Sequence, residues 1–167
     1  NTVSLTNIQI NNGYSSGNGG GIYQIAGVLN LVDVTFLYNQ AEGNGGAIYL
    51  TSNAMMYADN IYLYLNTANE LGGGVYAWDG EVEIHDSQFY YNLAGSYGGA
   101  IRGYDNAQIT LVDTSFFYNY ADADYDNYGS GAAIALNGSS LIASGSGTGG
   151  YDCEFLANND YAFGAVY

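Results

Sequence analysis

The sequence contains no lysine and no proline, and its single basic residue apart from one histidine is Arg102. The chain has sixteen acidic residues and one arginine, so its formal net charge at pH 7 is −15. A surface of this sign repels the phosphates of nucleic acids and of anionic lipids. We therefore expect no nucleic-acid partner.

Two further absences bear on compartment and class. A single cysteine, Cys153, excludes an internal disulfide, and we expect it to be a buried thiol. No apolar run reaches the 18 residues that a membrane-spanning helix needs, so we expect no membrane insertion. The chain begins at Asn1 without a basic, apolar leader, which is typical of a mature secreted product or an excised fragment. We expect an extracellular or cell-surface location.

What is present is a repeat. One phrase recurs as GGGIYQ (19–24), GGAIYL (45–50), GGGVYA (72–77), GGAIRG (98–103), GAAIAL (131–136) and GAVY (164–167). A second phrase recurs as FLYN (36–39), LYLN (63–66), FYYN (89–92), FFYN (116–119) and FLAN (155–158). The first four aliphatic residues of the first phrase are 26, 27 and 26 apart, and the second phrase keeps the same period and phase. Two independent phrases with one period indicate a repeat protein.

Between these phrases the sequence alternates as a β-strand does. In VLNLVDVTF (28–36) the residues Leu29, Leu31, Val34 and Phe36 point to one side, and the slip after Leu31 marks a bend between two short strands. An Asp or Asn sits at that bend in each copy. A unit of about 26 residues with three short strands cannot bury its own apolar side, but stacked units can. The sequence therefore predicts one all-β domain over 1–167, a parallel β-helix (solenoid) of five to six coils.

Each F-x-x-N phrase places an asparagine at the same turn of successive coils. We expect these side chains to form a ladder in which each amide bonds to the next coil. The predicted ladder comprises Asn39, Asn66, Asn92, Asn119 and Asn158.

The alternation of GGA[I/V] with F-x-x-N resembles the repeats of chlamydial-type polymorphic membrane proteins, along the whole chain. The resemblance implies a right-handed parallel β-helix, an autotransporter-like passenger and a surface-exposed adhesin.

Two insertions break the period, at 121–130 and 137–150, and insertions into a solenoid emerge as loops. The first carries Asp122, Asp124 and Asp126 at alternate positions, a spacing that resembles the start of a calcium-binding loop. It is either a Ca²⁺ site or a solvated acidic loop. The second opens with Asn137-Gly138-Ser139, the single N-glycosylation sequon.

The chain has 19 tyrosines, more than a core of this size requires. Many fall in two columns that the alternation directs outwards. The columns form either a stabilising stack or an aromatic surface that binds sugars or a neighbouring filament. The predicted surface comprises Tyr23, Tyr49, Tyr76, Tyr38, Tyr91 and Tyr118, and Tyr167 continues the first column.

Catalysis is the weaker alternative. Asp86, Asp113 and Asp152 fall in one column, so neighbouring coils would bring two carboxylates to about 5 Å, as a retaining glycoside hydrolase requires. Uncharged Asn occupies the same position in other copies, which favours a turn role. His85 stands alone, and no serine or cysteine has an evident base. We expect a non-enzyme.

The sequence starts and stops within a coil, and the two part-coils complement each other. We therefore expect copies to associate head to tail into an extracellular fibre. The contact would use Val3, Leu5, Ile8, Ile10, Ala165, Val166 and Tyr167. The alternative is an adhesin or glycan-binding passenger fragment of a larger surface protein, with glycans or a host surface as its partners.

Overall fold

A computed structural model describes residues 1–122, 131–145, 153–156 and 158–160, with the backbone alone for 159–160. These residues form an all-β parallel solenoid without a helix. The predicted fold class is thereby confirmed. The count of five to six coils is slightly too high, because the described residues make about four turns.

Each coil contributes strands to four faces, and every strand pair is parallel. Faces 1 and 2 share two long bent strands, which are β1 (Thr2–Asn11) and β4 (Gly27–Leu37). In later coils, faces 1 and 2 are formed by separate strands. Face 1 continues through β7 (Ala54–Asp59), β11 (Glu81–His85), β15 (Gln108–Val112) and β19 (Ser140–Ser144). Face 2 continues through β8 (Tyr62–Tyr64), β12 (Gln88–Tyr90), β16 (Ser115–Phe117) and β20 (Glu154–Leu156).

Faces 3 and 4 complete each coil. Face 3 contains β2 (Tyr14–Ser15), β5 (Gln40–Ala41), β9 (Thr67–Ala68), β13 (Leu93–Ala94), β17 (Tyr120–Ala121) and β21 (Asn159–Asp160). Face 4 contains β3 (Ile22–Gln24), β6 (Ile48–Leu50), β10 (Val75–Trp78), β14 (Ile101–Tyr104) and β18 (Ile134–Asn137). The two-residue strands of face 3 correct the predicted unit of three strands to four. A strand this short carries no alternation that a sequence pattern could show.

The bend between faces 1 and 2 is made by one residue per coil in the left-handed region. The φ angles are 53° at Asn7, 54° at Asp33, 51° at Asn60, 47° at Asp86 and 48° at Asp113. Asn and Asp tolerate this conformation better than other residues with a side chain. The local requirement explains why each described coil has either Asn or Asp at this position.

The interior is filled by columns of apolar side chains from successive coils. One column consists of Phe36, Leu63, Phe89, Phe116 and Phe155. The ring centroids of Phe89 and Phe116 are 4.8 Å apart and those of Phe116 and Phe155 are 4.9 Å apart. Phe36, Leu63, Phe89 and Phe116 are fully buried. Each such side chain stabilises the fold by roughly 1.5–3 kcal/mol.

A chain of asparagine side chains runs along the interior between faces 2 and 3. The Oδ1 atom of Asn92 accepts hydrogen bonds from the backbone N–H of Asn66 at 3.2 Å and from its Nδ2 atom at 2.9 Å. The Nδ2 atom of Asn92 donates to the carbonyl of Leu63 at 3.0 Å and to Oδ1 of Asn119 at 3.0 Å. Asn39 and Asn158 extend the same pattern in either direction. The amides of Asn39, Asn66, Asn92 and Asn119 thus bond to both neighbouring coils, and that of Asn158 bonds to the preceding one.

Cys153 packs against the hydrophobic core. Its thiol is partly buried, and Sγ lies 3.4 Å from the carbonyl oxygen of Ser144.

Candidate functional site

Seven aromatic side chains form one continuous surface on the outside of face 2. We call this surface the aromatic band, and it consists of Tyr38, Tyr62, Tyr64, Tyr90, Tyr91, Phe117 and Tyr118. Tyr91 and Tyr118 stack with their centroids 5.0 Å apart, and Tyr90 stacks on Phe117 at 4.6 Å. Tyr64 meets Tyr91 edge-on at 6.0 Å. The band spans four successive coils, because its rings come from the F-x-x-N phrases of four coils and from Tyr62, which lies just before the second of these phrases.

Three members of the band are well exposed. The exposed fractions are 51% for Tyr38, 45% for Tyr91 and 44% for Tyr118, and the other four members are half-buried. Burial by neighbouring rings raises the pKa of Tyr62, with smaller contributions from Tyr90 and Tyr64. None of the seven side chains carries a charge at neutral pH. The band is therefore an uncharged strip on a strongly acidic protein.

The exposed tyrosines of the band have an unfavourable backbone. The φ angles are 55° at Tyr38, 52° at Tyr91 and 55° at Tyr118, and the equivalent positions of other coils are Asn12 at 53° and Leu65 at 53°. A bulky side chain in this region costs of order 1–3 kcal/mol, whereas asparagine adopts it readily. Asn12 shows that the turn itself accepts asparagine. The chain thus holds three exposed rings at positions where the backbone favours a smaller residue.

The first predicted tyrosine column is mostly buried, so of its two predicted roles the stabilising stack fits and the aromatic surface does not. Tyr49 and Tyr76 are each 6% exposed, and Tyr23 alone, at 49%, is open. The rings stack at 5.0 Å with interplanar angles of 5° and 2°. The turn before each strand folds back against the column: a Cβ added at Gly72 would lie 3.0 Å from the Cβ of Tyr76. We call these three residues the tyrosine stack, and its role is packing.

Arg102 occupies the next position of the tyrosine stack, in register with Tyr76. It is 5% exposed, and its guanidinium carbon lies 4.9 Å from the centroid of the Tyr97 ring and 5.9 Å from that of Tyr104. Burial lowers the pKa of Arg102, and the neighbouring tyrosines oppose that shift. Among the described residues, no group accepts a hydrogen bond from its buried Nε. The contacts with the rings of Tyr97 and Tyr104 stabilise this buried cation.

Tyr76 has the most strongly perturbed pKa of the described tyrosines. Burial raises its pKa to about 12, Tyr49 adds to the rise, and Arg102 opposes it. Burial likewise raises the pKa of Tyr49. Both phenols therefore ionise at a higher pH than a free tyrosine.

The predicted carboxylate column lies at the bend between faces 1 and 2. Asp86 and Asp113 belong to adjacent coils, and both have the left-handed backbone that the bend requires. Asp152 lies outside the described residues. His85 is not isolated, because its Nε2 lies 2.7 Å from Oε1 of Glu83 on the same strand. The geometry gives the aspartates a turn role, and the hydrolase alternative stays a prediction.

Of the predicted calcium ligands, Asp122 is described, whereas Asp124 and Asp126 lie outside the described residues. The backbone N–H of Asp122 donates to the carbonyl of Ala94 at 2.8 Å. Within 1–122, 131–145, 153–156 and 158–160, no three His, Cys, Asp or Glu side chains are placed to hold a metal ion. The calcium site stays a prediction.

The predicted glycosylation site is accessible. Asn137 ends β18 with its side chain exposed, and the hydroxyl of Ser139 donates to the backbone carbonyl of Asn137 at 3.2 Å. Its modification stays a prediction.

The residues predicted for head-to-tail contact lie along the free edge of β1. Val3 is 44% exposed and Ile8 is 40% exposed, whereas Leu5 and Ile10 are partly buried against the core. Among the described strands, β1 pairs with β4 alone. Ala165, Val166 and Tyr167 lie outside the described residues.

Four members of the aromatic band were not expected from the sequence, namely Tyr62, Tyr64, Tyr90 and Phe117. A signal exists for Tyr64, Tyr90 and Phe117, whereas Tyr62 lies just before the phrase LYLN (63–66). The two positions between the inward aromatic residue and the ladder asparagine are themselves aromatic in FYYN (89–92) and FFYN (116–119). The expectation counted the second of these positions and overlooked the first.

A comparison with protein-family models matches residues 33–51 to the Chlamydia polymorphic membrane protein repeat. The predicted resemblance is confirmed. The matched residues run from the bend at Asp33 through the ladder residue Asn39 to just beyond the end of β6. They cover faces 2, 3 and 4 of one coil. Comparisons with curated proteins and with solved structures return no match.

The polymorphic membrane protein repeat belongs to a family of outer-membrane or surface proteins, not to an enzyme family. Fold and repeat together indicate a surface-protein passenger-like domain. No helix in the part of the chain that the structure describes is long and apolar enough to cross a bilayer.

Proposed function

We propose that this passenger-like domain is a glycan-binding module of the adhesin type and that the aromatic band is its binding surface. The observation that carries the proposal is the backbone of Tyr38, Tyr91 and Tyr118. Each holds an exposed ring in the left-handed region, where Asn12 of the first coil shows that asparagine is accepted. Unfavourable backbone geometry of this kind concentrates at functional sites.

The chemistry of the band favours a neutral carbohydrate. Tyrosine rings offer flat apolar faces to the C–H face of a sugar, and their hydroxyls offer hydrogen bonds at the rim. The net charge of −15 repels acidic polysaccharides, nucleic acids and anionic lipids. A strip of uncharged rings across four coils suits an extended chain of several sugar units.

Affinity electrophoresis tests this function. The protein is run through native gels that contain a soluble neutral polysaccharide, such as xylan, galactan, mannan or hydroxyethyl cellulose. We expect retardation by at least one of them, and we expect the Tyr91→Asn/Tyr118→Asn double variant to lose most of it. These substitutions remove two exposed rings and suit the left-handed backbone, so the fold is retained.

Tyr23→Asn is the matched control, because it removes an exposed tyrosine that lies outside the band. It should be retarded like the unaltered protein. Equal retardation of the double variant, or free migration of the unaltered protein in every gel, would contradict the proposal.

End-to-end association is a second candidate, and the free edge of β1 favours it. An unpaired parallel strand with exposed Val3 and Ile8 accepts a further coil, whether a second copy or adjoining sequence supplies it. Sedimentation equilibrium across a range of concentrations should show reversible self-association of this chain. Leu5→Asp should abolish it, whereas Thr6→Asp at the outward neighbour should not. A monomer at every concentration would refute self-association.

A further inference from the structure

A groove on the outside of face 1 has a role in neither the core nor the aromatic band. Its volume is about 400 Å³, within the range of small-ligand sites. The lining residues are Asn30, Leu31, Val32, Tyr57, Ala58, Asp59, Glu83, His85 and Asp86. The groove thus draws on three successive coils.

The outward side chains of the groove form two columns in register. Asn30, Tyr57 and Glu83 make one column, and Val32, Asp59 and His85 make the other. Adjacent members of a column are about 4.8 Å apart at the backbone, since each pair belongs to neighbouring parallel strands. Two columns of three place six side chains over an area comparable to one or two sugar rings.

The groove combines apolar walls with polar groups of both hydrogen-bonding kinds. Tyr57 is 37% exposed and Val32 is 38% exposed, so both offer apolar surface to a ligand. Asp59 and Asp86 are exposed acceptors, Asn30 can donate and accept, and the 2.7 Å contact between Nε2 of His85 and Oε1 of Glu83 holds those two side chains together.

We propose that this groove binds a single neutral sugar residue of a glycan. A pyranose presents hydroxyls that donate to carboxylates and accept from an amide or imidazole N–H. It also presents an axial C–H face that packs on an aromatic ring. The oxygen atoms of Asp59 and Glu83 meet the first need and the ring of Tyr57 meets the second.

The same chemistry disfavours other ligand classes. Three carboxylates repel an anion. An apolar ligand would desolvate those carboxylates without giving them partners, which is costly. A cation would be attracted by charge alone, but it would make no use of the amide of Asn30 or of the apolar wall at Val32.

The groove shares no residue with the aromatic band. The proposal adds a subsite to the glycan-binding function but does not require that the band itself bind. Loss of one site leaves the other intact, so the two can fail separately.

Because His85 is the only histidine, its ring protons report on the groove without labelling. Methyl β-galactoside, methyl β-glucoside and methyl α-mannoside are titrated separately while the proton NMR signals of His85 are followed. We expect a saturable shift with at least one of them. Calcium chloride and spermidine are titrated in parallel.

Tyr57→Ala and Glu83→Gln should each weaken that sugar about tenfold or more, as expected for loss of a ring face or a charged acceptor. Glu81→Gln is the control, because Glu81 is exposed on the same strand but does not line the groove. It should leave the titration unchanged. To distinguish loss of binding from loss of folding, each variant is checked for an unaltered unfolding midpoint. If Glu83→Gln fails that check, Asp59→Asn is used in its place.

Three outcomes would overturn the proposal. His85 could be insensitive to all three glycosides. It could respond to calcium or spermidine but to no sugar, which would make the groove a cation site. It could respond to a sugar with equal affinity in the Tyr57→Ala and Glu83→Gln variants, which would place binding elsewhere.

Discussion

The aromatic band and the tyrosine stack are built from the same residue type on the same repeat, yet they have opposite environments. In the stack, Tyr49 and Tyr76 are 6% exposed on extended strands. In the band, Tyr91 and Tyr118 are 45% and 44% exposed with left-handed backbones. The stack occupies its positions at no backbone cost, whereas the band does so against a local preference.

The difference teaches that an outward position on a solenoid strand is not the same as an exposed one. Strand alternation decides which side of the wall a ring is on. What lies over the outer side is decided by the turns, and the glycine turn before each face 4 strand lies against the stack. In the described part of the chain, three rings of the band are left open to solvent. Packing therefore explains the stack, whereas the open rings of the band are the ones that our proposed function uses.

The largest effect is expected where neither tyrosine set is involved, in the interior that supports both. Asn92→Leu would leave the backbone N–H of Asn66 and the carbonyl of Leu63 without their partners inside the coil. Each orphaned buried group costs about 1–3 kcal/mol, so the free energy of unfolding should fall by about 3 kcal/mol or more. Urea unfolding followed by circular dichroism measures it. A loss below about 1 kcal/mol would show that the ladder is dispensable.

The next effect separates the buried part of the tyrosine stack from its open end. Tyr76→Ala removes a buried ring with a stacked neighbour and should cost about 3 kcal/mol in unfolding free energy. Tyr23→Ala at the open end of the same stack should cost about 1 kcal/mol or less. If the two variants lost equal stability in urea, burial would not distinguish them.

A smaller effect is expected from pH. Because the pKa of Tyr76 is about 12 in the fold and near 10 in the unfolded chain, the unfolded state loses that proton first. The stabilisation is complete below pH 10 and is lost as the pH rises from 10 towards 12. Unfolding midpoints over this range should fall less steeply in Tyr76→Phe than in the unaltered protein. Parallel curves would contradict a raised pKa.

The smallest effect is expected in the band. Tyr91→Asn relieves an unfavourable backbone, of order 1 kcal/mol, and loses a stacked pair of similar worth. The unfolding free energy should stay within about 1 kcal/mol of the unaltered value. A loss as large as that of Tyr76→Ala would mean that the band is structural.

The architecture could be predicted from the sequence because each coil of a solenoid needs the same residue types at equivalent positions. The period of 26–27 residues locates the Phe36 column, and the alternation of Asn and Asp marks the left-handed bend at Asn60 and Asp86. These signals depend on the backbone of one coil and on its nearest neighbours, which are fixed by the repeat.

The surface could not be predicted to the same depth. Burial of Tyr49 depends on how a glycine turn folds over a strand, which is a matter of three-dimensional packing. The groove combines Tyr57 from one coil with Glu83 and His85 from the next, and none of them belongs to a repeated phrase. The coil number was overestimated because part-coils were counted with complete turns.

The most direct test of the account is a paired measurement on one protein, the Tyr38→Asn/Tyr91→Asn/Tyr118→Asn triple variant. Its unfolding free energy and its retardation by the best neutral polysaccharide are measured beside those of the unaltered chain. The account predicts an unfolding free energy that is equal or higher, together with lost retardation. A variant that unfolds far more easily, or one that still binds as before, would contradict it.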